Sequence, residues 1–282
     1  MPSFSYAVAD VFTRRPLEGN QVAVFTDARE IPEHRLQQLA KELALSETVF
    51  VYPPEADGHA RIRIFTPATE LPFAGHPVLG TAFVLGAPMQ LPEIRLETGK
   101  GTVPITLERG EEGRLELGRM TQPIPAIEDY PQADELLAVL GVEARAPVEL
   151  YDNGVRHVLV LLGSPEEVAA LAPDIPAVKR LPGDAVNCFA GSGASWKTRM
   201  FGPTLGMDED PATGSAAGPI ACHLARNGLI AWCDEIELTQ GVEIGRPSTL
   251  LARADGTAES IDRVEVGGGA VVVARGEFRI PS

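Results

Sequence analysis

The chain states one pattern twice, and this duplication constrains its fold more than any other feature. The first copy runs Arg63-Ile64-Phe65-Thr66-Pro67 and then Pro72-Phe73-Ala74-Gly75-His76. The second runs Arg199-Met200-Phe201-Gly202-Pro203 and then Pro211-Ala212-Thr213-Gly214-Ser215. Each copy reads as an alternating strand, a Pro-broken loop, and a Gly that opens an apolar helix. Phe65 and Phe201 are 136 residues apart, whereas Pro72 and Pro211, like Gly75 and Gly214, are 139 apart. The second loop therefore carries three extra residues, in a region that holds Asp208, Glu209 and Asp210. A period this long implies a duplicated supersecondary unit. Two such units can face each other across a cleft, each aiming a helix N-terminus into it, and helix N-termini hold anions.

The surrounding elements fit a duplicated α+β chain. Phe4 to Val8 and Asn20 to Phe25 read as strands, and Gly19-Asn20 between them as a turn. Pro32 to Leu43 reads as an amphipathic helix, with Leu36, Leu39, Ala40 and Leu43 on one face and Pro32 in the first turn. Val49 to Tyr52 and Arg61 to Phe65 are strands, and His76 to about Leu85 a buried helix. The second half repeats this order. Gly154 to Val160 matches Gly19 to Phe25 in position, and Ser215 to Arg226 is a long helix stopped at Asn227-Gly228. The Pro-rich stretch after Met120 reads as a linker. The expected domains are 1–118 and 130–269, joined by a linker over 119–129, with the final strand within 270–282 open to joining the first domain.

Net charge is −15, from 24 basic and 39 acidic residues. That excludes non-specific binding to nucleic acid or to an anionic membrane, but not to a small anionic ligand. The segment 71–92 is uncharged, yet four prolines and three glycines interrupt it, so it is read as loop and buried helix and not as a membrane span. Three cysteines, Cys188, Cys222 and Cys233, without a CxxC pair, fit a reducing compartment and no zinc site. The N-terminus has no basic region followed by an apolar run. A cytoplasmic protein is expected.

Asp210-Pro211-Ala212-Thr213-Gly214-Ser215-Ala216-Ala217-Gly218 is the most informative stretch. Small residues at a helix start let backbone N–H groups approach a ligand. The competing reading is a helix capped by Asp, Thr or Ser. The matching Gly75-His76 in the first copy favours an anion site. It also raises His76 above an ordinary structural histidine. Asp210 immediately precedes the Pro and the helix, while Asp208 and Glu209 read as solvated loop charges. His157 reads as a packed polar residue on a strand, and His34, His59 and His223 carry no signal. Glu47 stands at a helix-to-strand junction, where burial would raise its pKa toward the range useful for proton transfer; otherwise it is a surface carboxylate.

Taken together, Gly19-Asn20, Ser46-Glu47-Thr48, Phe73-Ala74-Gly75-His76-Pro77 and Asp210-Pro211-Ala212-Thr213-Gly214-Ser215-Ala216 resemble the PhzF-like family of phenazine biosynthesis, in order and over nearly the whole chain. The resemblance implies the diaminopimelate epimerase fold: two pseudo-symmetric α+β domains, each a mostly antiparallel sheet wrapped around a central helix, with the active site between them. Racemases of that fold place a Cys before the Gly in each half. Ala74 and Thr213 stand there in this chain, and neither can act as a base. The family resemblance instead implies a cofactor- and metal-independent isomerase of the trans-2,3-dihydro-3-hydroxyanthranilate type. Carried over by position, Glu47 is the proton shuttle, and His76 and Asp210 hold or polarise the substrate. Gly75, Gly214 and Ser215 bind its carboxylate, and Asn20 and Ser46 line the pocket. The resemblance also implies a homodimer. The alternatives are an isomerase or epimerase of another small metabolite, and a non-catalytic binding protein on the same scaffold.

Overall fold

The computed structural model describes residues 2–257 and 259–280. It divides into two units. One comprises residues 1–121 with 267–282, and the other residues 122–266.

In the first unit, β1 (Ser3–Val11) pairs antiparallel with β2 (Asn20–Phe25). Helix α1 (Glu33–Leu43) follows and buries Leu36, Leu39 and Ala40 of the stripe predicted from its spacing, while Leu43, the fourth member, is half-buried. Strand β3 (Glu47–Tyr52) runs parallel to β2, and β4 (Ala60–Phe65) antiparallel to β3. The short β5 (Glu70–Leu71) turns back along β4 and leads into α2 (Gly75–Met89). Strand β6 (Glu93–Thr98) lies parallel to β4, and β7 (Gly101–Arg109) and β8 (Leu115–Gln122) continue antiparallel.

The second unit repeats this plan. Strand β9 (Ala126–Asp129) pairs antiparallel with β10 (Glu149–Asp152) after helix α3 (Ala133–Leu140), and β10 with β11 (Arg156–Leu161). Two short helices, α4 (Pro165–Ala169) and α5 (Ile175–Val178), precede β12 (Ala185–Ser192), which runs parallel to β11. Then come β13 (Ser195–Gly202), the short β14 (Met207–Asp210) and helix α6 (Gly214–Arg226). Strand β15 (Glu235–Gln240) lies parallel to β13 and pairs antiparallel with β16 (Ser248–Gly256), and β17 (Ile261–Gly268) follows. The last strand, β18 (Ala270–Arg279), pairs antiparallel with β1 in the first unit. The sequence left this strand's home open.

Residues 119–129, expected as a linker, are mostly strand: β8 runs to Gln122 and β9 begins at Ala126. Their prolines, Pro123 and Pro125, occupy the short gap between the two strands, where no ladder N–H is required.

Each unit is built on an apolar helix. In α2 the residues from Gly75 to Val84 are all buried, and in α6 those from Gly214 to Ala225. A helix apolar on every side must be enclosed on every side. Glycine permits the close approach: a Cβ on Gly80 would lie 2.6 Å from Val22 and 2.8 Å from Val11. The repeat also carries an ion pair. Arg63 bonds Glu70 at 2.7 Å while its guanidinium covers the Phe65 ring. Arg199 does the same with Glu209, at 2.7 and 2.8 Å, over the Phe201 ring. Glu209 is thus a paired, largely enclosed carboxylate and not the solvated loop charge expected, whereas Asp208 is exposed.

Candidate active site

In the first unit, Asn20 and Glu47 are the opening residues of two adjacent parallel strands, β2 and β3. Gly19 delivers Asn20 through a left-handed turn (φ +71°), where a Cβ would collide with the Val11 carbonyl oxygen. His76 is the second residue of α2, so the loop that ends at Gly75 brings its ring to the start of those strands. Asn20 Nδ2 lies 3.3 Å from His76 Nδ1, and His76 Nε2 lies 3.2 Å from the Gln21 carbonyl oxygen and 3.0 Å from Glu47 Oε2. With the amide donating to Nδ1, the ring proton sits on Nε2.

Glu47 is buried, its side chain 8% exposed. Its Oε2 touches the imidazole but accepts no aligned hydrogen bond from the described residues, because the ring N–H is aimed at the Gln21 carbonyl. Ser46, immediately before Glu47, is half-buried.

In the second unit, Asp210 ends β14 and Ser215 is the second residue of α6. Thr213 Oγ1 donates to Asp210 Oδ2 at 2.6 Å and accepts from Gln240 Nε2 at 2.8 Å. The same Gln240 amide donates to the Asp210 carbonyl at 2.8 Å, and its Oε1 accepts the Thr213 N–H at 3.0 Å. Ser215 Oγ lies 3.0 Å from His157 Nε2, and Asn153 Nδ2 donates to the Ser215 carbonyl at 2.8 Å.

The starts of the two Gly-opened helices differ from those of α4 and α5, and share with α1 and α3 the lack of a side-chain cap. Helices α4 and α5 are capped by the side chains of Ser164 and Asp174. At α2 and α6 the cap residues, Ala74 and Thr213, make no side-chain cap bond. Thr213 gives its hydroxyl proton to Asp210 instead. The first N–H groups of a helix have no intrahelical acceptor and carry the positive end of its dipole. An uncapped start at Gly75-His76 and another at Gly214-Ser215 are therefore each suited to an anion.

Strand registers place the carboxylates asymmetrically. Thr48 pairs with Phe65 and Val186 with the equivalent Phe201, so Ala185 is the counterpart of Glu47. Leu71 pairs with Ile64 and Asp210 with the equivalent Met200, so Leu71 is the counterpart of Asp210. Each unit thus holds one carboxylate near its helix start, at non-equivalent places.

The structure brings Asn20, Glu47, Gly75 and His76 together in one unit and Asp210, Gly214 and Ser215 in the other. Sequence reasoning passed over Gln240 and Thr213 as partners of Asp210, and His157 as a partner of Ser215. A signal existed for His157: aligning Gly154 with Gly19 sets it against Val22, a polar residue at an apolar strand position. Gln240 offered only its place before Gly241.

The residues before the two helix-opening glycines are Ala74 and Thr213, not cysteines. Cys188 and Cys222 are buried, and burial pushes both thiols up to about 12. Among the described residues no group of three or more His, Cys, Asp or Glu side chains is placed to hold a metal ion, and no helix is long and apolar enough to cross a membrane.

Comparison with known proteins agrees over almost the full chain. The phenazine biosynthesis-like protein family, PhzC-PhzF, matches residues 9–276. A trans-2,3-dihydro-3-hydroxyanthranilate isomerase of Pseudomonas aeruginosa is 52% identical over 272 residues, which cover 96% of this chain and 98% of that protein. A PhzF-family phenazine biosynthesis protein of Bacillus anthracis superposes with a TM-score of 0.87, at 24% identity over 99% of this chain and all of that one. A hydroxyproline epimerase of Agrobacterium vitis, 14% identical, shares the fold with a TM-score of 0.67 over 98% of this chain and 92% of its own. The duplicated α+β plan is thus that of the epimerase-like fold, and the chain belongs to the PhzF-type, phenazine biosynthesis-like protein family.

Proposed function

We propose that the chain is an isomerase that moves a proton between two carbons of a small cyclic amino or hydroxy acid, and that its substrate is trans-2,3-dihydro-3-hydroxyanthranilate. The observation that carries this reading is the 52% identity, over 96% of the chain, to a protein named for that reaction. The geometry around Glu47 supports it. A conjugated ring can spread the charge left when a proton departs, so one carboxylate suffices: it takes a proton from one carbon and, now a carboxylic acid, returns it to another on the same face. No cofactor or metal is required for that exchange.

In this reading Glu47 is the shuttle. Its enclosed Oε2, touching the His76 ring without an aligned hydrogen bond, is where the proton would reside. His76 and Asp210 hold or polarise the amine, hydroxyl or enamine of the substrate. The uncapped helix starts at Gly75 and at Gly214-Ser215 bind its carboxylate. Asn20 holds the His76 ring, and Ser46 lines the pocket beside Glu47. The enzyme acts in the cytoplasm as a homodimer, with a small anionic substrate and neither nucleic acid nor membrane as a partner.

The test is incubation of the protein with trans-2,3-dihydro-3-hydroxyanthranilate in heavy water, followed by absorbance and NMR, with Glu47→Gln alongside. Turnover with deuterium at the receiving carbon, lost in the variant, is the expected result. A folded wild-type protein that leaves this compound unchanged would remove it as the substrate. Unchanged activity in Glu47→Gln would remove Glu47 as the shuttle.

A further inference from the structure

Strands β2 and β11 are equivalent, yet they differ at one position that matters. Glu47 lies opposite Val22 in the first unit, and Ala185 lies opposite His157 in the second. His157 thus takes the place of Val22, in a strand whose next three residues, Val158, Leu159 and Val160, are fully buried. It is itself fully buried. An imidazole in such a place costs more than a valine unless its ring nitrogens are matched. Burial pulls its pKa down to about 3, so the ring is neutral wherever the protein works.

A neutral imidazole has one N–H, and its neighbours decide which nitrogen carries it. Asn187 Nδ2, which can only donate, lies 3.2 Å from Nδ1. Nδ1 therefore accepts, and the proton is on Nε2, 3.0 Å from Ser215 Oγ. Once Oγ accepts that N–H, the serine hydroxyl must give its own proton elsewhere. Asn153 holds the backbone of the same residue through its carbonyl. A serine left alone at a helix start would rotate among backbone partners.

We propose that His157 is a positioning residue: Asn187 locks its ring as the Nε2–H tautomer, and that N–H makes the Ser215 hydroxyl an obligate donor toward the anionic group of the substrate. A carboxylate offers only acceptors, so a hydroxyl held as a donor binds it and one held as an acceptor repels it. At the equivalent place in the first unit stands His76, whose Nδ1 accepts from Asn20 and whose Nε2–H points at the Gln21 carbonyl. The proposal rests on the assignment of Ser215 to substrate binding.

Two measurements test it on the full-length protein. The first needs no substrate: a long-range proton–nitrogen spectrum of the 15N-labelled chain, with the His157 signals assigned by their loss in His157→Gln. A single Nε2–H tautomer, unchanged across the neutral range, is expected; an Nδ1–H tautomer or an exchanging mixture overturns the proposal. The second is a kinetic cycle of His157→Leu, Ser215→Ala and the double variant. His157→Leu is expected to raise KM roughly 10- to 100-fold, the size of one hydrogen bond to a charged group, with a smaller effect on kcat. Its effect should vanish in the Ser215→Ala background, and His157→Gln, whose amide N–H can reach the same oxygen, should restore most of the loss. A His157→Leu penalty that persists in full without the Ser215 hydroxyl marks a purely structural histidine and overturns the proposal. If the wild-type protein fails to turn over the dihydro acid, that compound falls as the substrate, and the tautomer spectrum still decides the lock.

Discussion

Glu47 Oε2 lies 3.0 Å from His76 Nε2, with both side chains more than nine-tenths buried, yet the ring N–H is aligned with the Gln21 carbonyl and not with the carboxylate. The two groups touch without being locked into a strong charge-assisted pair.

Replacing Glu47 with Gln keeps the shape and removes the exchangeable proton site. The expected loss in kcat is about 100- to 10,000-fold, the usual worth of a positioned acid or base. Thermal unfolding should be nearly unchanged, since Oε2 gives up no aligned hydrogen bond. A variant that unfolds at a much lower temperature would mean that the carboxylate has a structural duty as well.

The repeated Arg–Glu pairs offer an internal comparison. Arg199 is 8% exposed and also donates to the carbonyl oxygens of Ala169 and Leu171, at 3.2 and 2.7 Å. Arg63 is 21% exposed, and its partners Glu33 and Glu70 lie at the surface. Arg199→Met should destabilise the protein by about 3–5 kcal/mol, because it strands the enclosed Glu209. Arg63→Met should cost about 1 kcal/mol or less. Adding Glu209→Gln to Arg199→Met should recover part of the loss in urea unfolding. Equal effects from the two arginine variants would refute the distinction.

Glu149 carries a pH-dependent share of stability. Burial pushes its pKa up, but hydrogen bonds from His223, Arg226 and Tyr151 outweigh that and hold it at about 2, below its ordinary 4.5. Between these two values the unfolded chain binds the proton and the folded chain does not, so stability falls as pH falls through this window and is fully present above it. Unfolding free energy measured in urea against pH should decline from pH 4.5 toward 2, and Glu149→Gln should flatten that decline. A Glu149→Gln curve as steep as that of the wild type would show that other carboxylates set the acid limit.

Thiol chemistry should not touch the reaction. Cys233 is exposed, whereas Cys188 and Cys222 are enclosed with thiols pushed up to about 12. Titration with a thiol reagent should find one reactive cysteine in the native protein and three in denaturant. Alkylation of the native protein should leave turnover intact. Inactivation that follows the modification of Cys188 or Cys222 would bring back a thiol mechanism of the racemase kind.

The sequence by itself determined the duplication, because Gly75 and Gly214 recur at one period with a strand before and an apolar helix after. Those are local signals, carried by side-chain alternation, Pro and Gly chemistry, and small residues at a helix start. It also pointed to His76, Asp210 and Ser215, through their nearness to those helix starts, and to Glu47, through its helix-to-strand junction and family resemblance. Tertiary structure alone decided which of these groups are enclosed and what each one touches. The contact of Glu47 with His76, the hold of Gln240 on Thr213 and Asp210, and the pairing of His157 with Ser215 join residues far apart in the chain. Strand register creates those meetings, and no local pattern encodes register across such distances. In the stretch read as a linker the prolines are a local sign of a break, whereas β9 beside them is made by pairing with β10, on the far side of helix α3.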